Sequence, residues 1–187
     1  MTVKSGQKCT AIRRVLVPES LYDAAAEAIV AKLREVTVGN PRNPDVRMGA
    51  LVSRAQLATV REGLAQLQAQ TQTLHDGASQ ALIDADPAVA CCIGPTLLGT
   101  RDPDGNALVH QIEVFGPVAT LMPYRERQGD DGIDAGHAFE LARRGEGSLV
   151  ASLYGSDPAA LAVASLQLAD SHGRVHVISP DVAQMQT

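Results

Sequence analysis

Apolar positions along the chain alternate between two rhythms: short β-branched runs, and longer stretches with an apolar residue every third or fourth position. Arg14-Val-Leu-Val-Pro18 reads as a strand stopped by proline. Ser20 is placed to cap the next helix, with Asp23 three residues on and Leu21, Ala25, Ile29 and Leu33 along one face. Residues 39–44, Gly-Asn-Pro-Arg-Asn-Pro, are a polar loop full of turn signals. Ser53-Arg-Ala-Gln56 is a capping box opening a second helix, whose Leu57, Val60, Leu64 and Leu67 form an apolar stripe.

Residues 73–75 and 89–98 read as short strands, residues 101–105 as a turn, and residues 107–114 and 118–123 as two more extended pieces. A charged, glycine-containing loop covers residues 125–134, a third helix runs from Ala135 to Arg144, and residues 149–154 form a strand. Asp157-Pro158 starts another helix, a capping carboxylate followed by proline at the first helical position, with Leu161, Ala164 and Leu168 lining it. Arg174 to Ile178 alternates as a final strand. Strands separated by helices of this length imply right-handed crossovers. The expected fold class is therefore α/β, a mostly parallel sheet flanked by helices, in one compact domain over residues 1–187.

Composition narrows the choice of partner. Hydrophobic residues make up 45% of the chain and aromatics 3%, with no tryptophan, so the core must rest on Ala, Leu and Val. Sixteen basic against 21 acidic residues leave a net charge of −5, which offers nucleic acid no footprint. Arg13-Arg14 and Arg143-Arg144 read as solvated edges or local ion-pair partners. No apolar run approaches the ~18 residues that span a bilayer, and the first six residues lack the apolar middle of a signal peptide. No membrane partner and a cytoplasmic setting are expected. Three cysteines argue against a disulfide framework, and Cys91 and Cys92, in the apolar stretch Val89–Ile93, read as buried, inert thiols. His75, His110, His137, His172 and His176 lack zinc-type spacing, and Asp130-Asp131 reads as a solvated loop, so no metal is expected. The Gly-x-Ser-x-Gly elbow of a serine hydrolase is missing from the sequence.

Cys9 is the first chemical candidate. The small-residue stretch Ser5-Gly-Gln-Lys8 leads into it, and Thr10-Ala-Ile-Arg-Arg14 has enough helix preference for one or two turns. In the first turn of such a helix, free N–H groups and the helix dipole would stabilise the thiolate, the species that attacks carbonyl carbon. The same donors would then receive the oxyanion of the tetrahedral adduct. Local chemistry alone leaves open a buried, unreactive thiol. The second candidate is Glu113-Val-Phe-Gly-Pro117. A glutamate can accept from both hydroxyls of a ribose, Gly116 permits close backbone approach, and Pro117 stiffens the turn. Taken alone, a strand-end glutamate is equally a solvated side chain.

Gly6-Gln-Lys-Cys-Thr10, followed by Arg13-Arg-Val-Leu-Val-Pro18, resembles the catalytic-cysteine signature of the aldehyde dehydrogenase family. Glu113-Val-Phe-Gly-Pro117 resembles that family's Glu-x-Phe-Gly-Pro motif, which follows the cysteine by about a hundred residues, as it does here. The likeness extends to Gly39-Asn-Pro41 and the Arg174–Ile178 strand. It implies Cys9 as nucleophile, forming a thiohemiacetal and then a thioester, with Glu113 holding the nicotinamide-side ribose of NAD or NADP and Phe115 packing near the nicotinamide or the substrate. Gly6 to Arg14 and Asn43-Pro-Asp-Val-Arg-Met-Gly-Ala50 look similar to one branch. That branch is the dehydrogenase part of the bifunctional phenylacetate-degradation enzyme, which oxidises a CoA-linked semialdehyde made by a fused ring-opening hydratase. The resemblance implies an aldehyde substrate, CoA-linked in that branch, and a homodimer or higher homo-oligomer.

The sequence holds no Gly-x-Gly-x-x-Gly turn, and the family keeps its glutamate base, its oxyanion-hole asparagine and its adenosine-ribose lysine upstream of the cysteine. The expectation is a thiol-bearing catalytic domain, residues 1–187, shortened at both ends and without its cofactor-binding domain, so that the isolated chain shows no dinucleotide-dependent turnover. Two other classes compete: a thiol-only module with esterase or redox-sensing action at Cys9, and an oligomerisation module without dehydrogenase activity.

Overall fold

A computed structural model of the protein describes residues 1–129 and 132–185; the Asp130-Asp131 pair lies outside the described residues. The chain gathers into two compact units, Met1–Glu126 and Arg127–Thr187. In the first unit, β1 (Arg14–Pro18), β2 (Gln72–His75), β3 (Thr96–Gly99) and β4 (Val118–Tyr124) form a sheet in the order β1-β4-β3-β2. Strands β1 and β3 run parallel to β4, and β2 pairs antiparallel with β3 at the edge. The α/β class with a mostly parallel sheet is what the sequence pattern implies.

Why this sheet reads as continuous apolar runs follows from its two covered faces. Successive residues of a strand point to opposite sides. On one side, Leu16, Leu98, Val118 and Met122 pack with Leu57, Val60, Leu64 and Leu67 of α2 (Arg54–Gln68). On the other, Val15, Val17, Leu97, Ala119 and Leu121 pack with Tyr22, Ile29 and Leu33 of α1 (Tyr22–Arg34).

Helix α2 starts as its sequence implies: the Gln56 N–H donates to Ser53 Oγ at 3.1 Å. Ser53→Ala is expected to lower unfolding free energy by about 1 kcal/mol, read as a shift of the urea midpoint with an unchanged slope. The start of α1 differs from expectation. Residues 19–21 form a 3-10 turn, no side chain caps the helix, and Tyr22 rather than Leu21 enters the core. The phenol covers far more apolar surface, and Arg101 lies 4.5 Å from its ring centre.

Two extended expectations also give way. Asp86 organises a turn at 86–90, accepting from the Ala88 N–H on its side chain and from the Val89 and Ala90 N–H groups on its carbonyl. The strand expected over 89–98 is thereby confined to Thr96–Gly99. Within 107–114 the chain makes a single helical turn, α3 (Leu108–Gln111). Here side-chain tethers described below outweigh the β-branched pattern.

In the second unit, β5 (Arg127–Gly129) and β6 (Gly132–Asp134) pair antiparallel where a loop is expected. After α4 (Gly136–Arg143), β7 (Ala151–Tyr154), α5 (Pro158–Leu168) and β8 (Val175–Ile178) make a parallel βαβ unit. Asp157 caps α5, accepting from the Ala159 N–H at 2.9 Å. A last helix, α6 (Pro180–Gln184), carries the same start signal, Ser179 then Pro180, and escapes the sequence reading. Among the described residues no helix is long and apolar enough to cross a membrane.

Candidate active site

Cys9 is solvent-exposed. It sits in a turn closed by the Ala11 N–H donating to Lys8 O at 2.9 Å, and the chain then runs straight into β1. The helix expected over residues 10–14 does not form. The Thr120 N–H donates to Arg13 O at 2.8 Å, so pairing with β4 claims this segment and overrides a weak helix preference. No helix dipole therefore acts on the thiol from this segment. The backbone N–H groups of Cys9 and Thr10 have no hydrogen-bond partner among the described residues.

The approach to Cys9 is braced from below. Lys4, Ser5 and Gly6 all have positive φ, 52°, 55° and 72°. This left-handed run turns the Ser5 hydroxyl onto Gly49 O at 2.8 Å. The motif glutamine, Gln7, accepts from the Val52 N–H at 2.9 Å. Gly6 lies so close to the second motif that a Cβ there would fall 2.1 Å from Gly116 O.

Residues 112–117 bridge α3 and β4. Val114 is buried, Phe115 is 39% exposed, and the Glu113 side chain is 66% exposed. Gln56 does not complete a capping box with its side chain; instead its Nε2 donates to Phe115 O at 2.8 Å. A Cβ on Gly116 would lie 2.6 Å from Val60, so glycine lets this segment settle on α2.

Two consecutive arginines hold the segment at its ends. Arg14 Nη1 lies 3.1 Å from His110 Nδ1, and His110 Nε2 lies 2.8 Å from Pro103 O. A guanidinium can only donate, so Nδ1 is the acceptor of the Arg14 contact. Arg13 donates from Nη2 to Gly6 O at 2.6 Å and from Nη1 to Gly116 O at 3.1 Å. Its guanidinium sits 5.6 Å from the Phe115 ring centre, and Nε lies 3.7 Å from Glu113 Oε1. Burial draws the Arg13 pKa down from arginine's ordinary value, and the Glu113 carboxylate opposes that fall.

Of the two readings of the Arg13-Arg14 pair, the solvated edge gives way, while the local ion-pair partner holds for Arg13, which is 15% exposed and pairs with Glu113. These tethers bring the loop before Cys9 and the segment bearing Glu113 and Phe115 into contact. Arg13, Arg14, Gln56 and His110 all escape a reading by motif. Cys92 is buried as expected, with burial pushing its thiol pKa up, while Cys91 is half-buried. Among the described residues, no group of three or more His, Cys, Asp or Glu could hold a metal ion.

An α/β sheet covered on both faces thus carries the exposed Cys9 turn, with the loop just before it packed against the glutamate-bearing segment. The chain belongs to the aldehyde dehydrogenase family, whose model matches residues 1–186. It is 46% identical over its whole length to a 3,4-dehydroadipyl-CoA semialdehyde dehydrogenase of Aromatoleum evansii, covering 35% of that protein. Among solved structures, it matches a gamma-glutamyl-gamma-aminobutyraldehyde dehydrogenase from Burkholderia cenocepacia with TM-score 0.76 and 28% identity, over 92% of this chain and 32% of that one. It also shares the fold of a Staphylococcus aureus betaine aldehyde dehydrogenase in complex with NAD+, with TM-score 0.79 and 22% identity, over 93% of this chain and 32% of that one. The chain therefore spans well under half the length of these relatives.

Proposed function

We propose that residues 1–187 are the thiol-bearing domain of a longer NAD(P)-dependent aldehyde dehydrogenase that oxidises a CoA-linked semialdehyde in phenylacetate degradation. The observation that carries this reading is the junction of the two motifs: the exposed Cys9 turn is tied through Gly6 and Arg13 to the segment that presents Glu113 and Phe115. The substrate class is supported by the 46% identical relative named for a CoA semialdehyde.

In this mechanism Cys9 Sγ adds as thiolate to the aldehyde carbon, forming a thiohemiacetal. The developing oxyanion meets the unpaired N–H groups of Cys9 and Thr10. Glu113, well exposed and acceptor-rich, fits the two hydroxyls of the nicotinamide ribose, and the half-exposed Phe115 ring fits a flat apolar neighbour. The dinucleotide, when bound, supplies the hydride acceptor that turns the thiohemiacetal into a thioester on Cys9. Hydrolysis or transfer to a thiol then frees the sulfur for the next turnover. NAD and NADP are chemically equivalent at Glu113, because they differ at the adenosine ribose.

Trapping the thioester tests this reading. The full-length protein is mixed with NAD(P) and the CoA-linked semialdehyde, acid-quenched within one turnover, and its peptides are weighed. An acyl adduct on the peptide containing Cys9 is expected, and an adduct confined to another cysteine would overturn the assignment.

A further inference from the structure

Arg13 is unusual among the groups around Cys9 because its side chain reaches both motifs at once. Its two terminal nitrogens hold backbone carbonyls, Gly6 O before the thiol and Gly116 O in the second motif. Those bonds alone would make a structural clamp. Two further features go beyond one. The guanidinium lies over the Phe115 ring, and Nε, buried without a hydrogen-bond partner among the described residues, lies 3.7 Å from Glu113 Oε1. A buried donor left short of an acceptor costs free energy unless a small movement completes the bond.

We propose that Arg13 is a positioning residue for cofactor binding: it orients the Glu113 carboxylate and the Phe115 ring relative to the Cys9 turn. The proposal rests on the reading of Glu113 and Phe115 as the nicotinamide-side contacts. Inward rotation of Glu113 brings Oε1 onto Nε–H, which leaves Oε2 free to accept from ribose hydroxyls. Arginine suits the task because its planar fork spans two carbonyls while Nε points elsewhere. Lysine carries its three N–H donors on one nitrogen at the end of a flexible stem and cannot reproduce that spread-out fork.

The test combines kinetics and a spectroscopic probe. In the full-length protein, Arg13→Met is expected to raise KM for NAD(P) about tenfold, with the aldehyde KM changed by less than about twofold. Glu113→Gln should raise the dinucleotide KM as well, and the double variant should be no worse than the poorer single one, because the two groups act as a unit. Arg13→Lys, which keeps the charge, should fall between wild type and Arg13→Met. 4-Fluorophenylalanine placed site-specifically in the full-length protein, at Phe115 or, as a control, at Phe139, gives a separate readout. The Phe115 fluorine resonance should move in both Arg13 variants while that of Phe139 stays.

A dinucleotide KM within about twofold of wild type in both variants, or effects of Arg13→Met and Glu113→Gln that simply add, would reduce Arg13 to a clamp and overturn the proposal. Should Arg13→Met fail to fold, Arg13→Lys decides by the same two readouts. A wild-type protein without any dinucleotide-dependent turnover would overturn the dehydrogenase reading and this proposal together. Active wild type with indifferent Arg13 variants overturns this proposal alone.

Discussion

Cys9→Ala in the full-length protein is expected to cut kcat by about 10⁴-fold or more, equivalent to about 5.5 kcal/mol of transition-state stabilisation. The size follows from the chemistry assigned to the sulfur. Without it there is no covalent adduct, so hydride would have to leave a free aldehyde hydrate with no neighbour to hold it in register. Stability should scarcely change, because the side chain is exposed in a turn and fills no part of the core. Cys92→Ala is the matched control. Its sulfur is buried beside Val38 and Met48, so that variant should lose stability while keeping kcat near wild type. Initial rates of reduced-dinucleotide formation and urea unfolding, measured on both variants, separate the two roles. A Cys9→Ala protein turning over near the wild-type rate would sink the nucleophile assignment.

The contrast between the two cysteines shows what the sequence can and cannot carry. Cys92 stands in an apolar run, and burial is a statistical property of such runs, so its fate is legible. The sheet is legible for the same reason: Val118 to Met122 and Leu97-Leu98 announce strands apolar on both faces, which need helices on both sides. The conformation at Cys9 is a different kind of fact. Thr10 to Arg14 has helix preference, yet β4 takes up the Arg13 carbonyl, a partner more than a hundred residues away in sequence. Local preference is a weak prior against a long-range ladder.

The same distance hides the tethers. Gln56 has the spacing of a capping-box residue, and its backbone N–H does bond to Ser53, but the side chain finds Phe115 O instead. Nothing in the local pattern names that carbonyl. Arg13 and Arg14 read as a solvated edge or local ion-pair partners, and neither reading names the contacts that β1 sets, Arg14 beside His110 and Arg13 between Gly6 and Gly116. The motifs therefore single out two segments, and the packing between them identifies what holds those segments together.

That packing makes the second large effect. Gly6→Ala is expected to destabilise the chain by about 3 kcal/mol. Gly6 has φ of +72°, a region where a Cβ costs roughly 1–2 kcal/mol. Lys4 and Ser5 just before it are already left-handed, so the strain has little room to spread towards the N-terminus. The new methyl would also lie 2.1 Å from Gly116 O and 2.6 Å from Pro117 N. Both are backbone atoms of a segment pinned by Arg13 and Gln56, so no side-chain rotation relieves the clash. Either the turn before Cys9 or the Glu113 segment must shift, and the Arg13 bonds to both carbonyls shift with it. Gly49→Ala supplies the control, since a Cβ there meets Pro41 at an ordinary 3.5 Å and φ is not positive. It should stay within about 0.5 kcal/mol of wild type. Urea midpoints with matched slopes report both values. If Gly6→Ala unfolded with the wild-type midpoint, the two motifs would not be packed backbone to backbone, and the shared site built on that contact would fall with it.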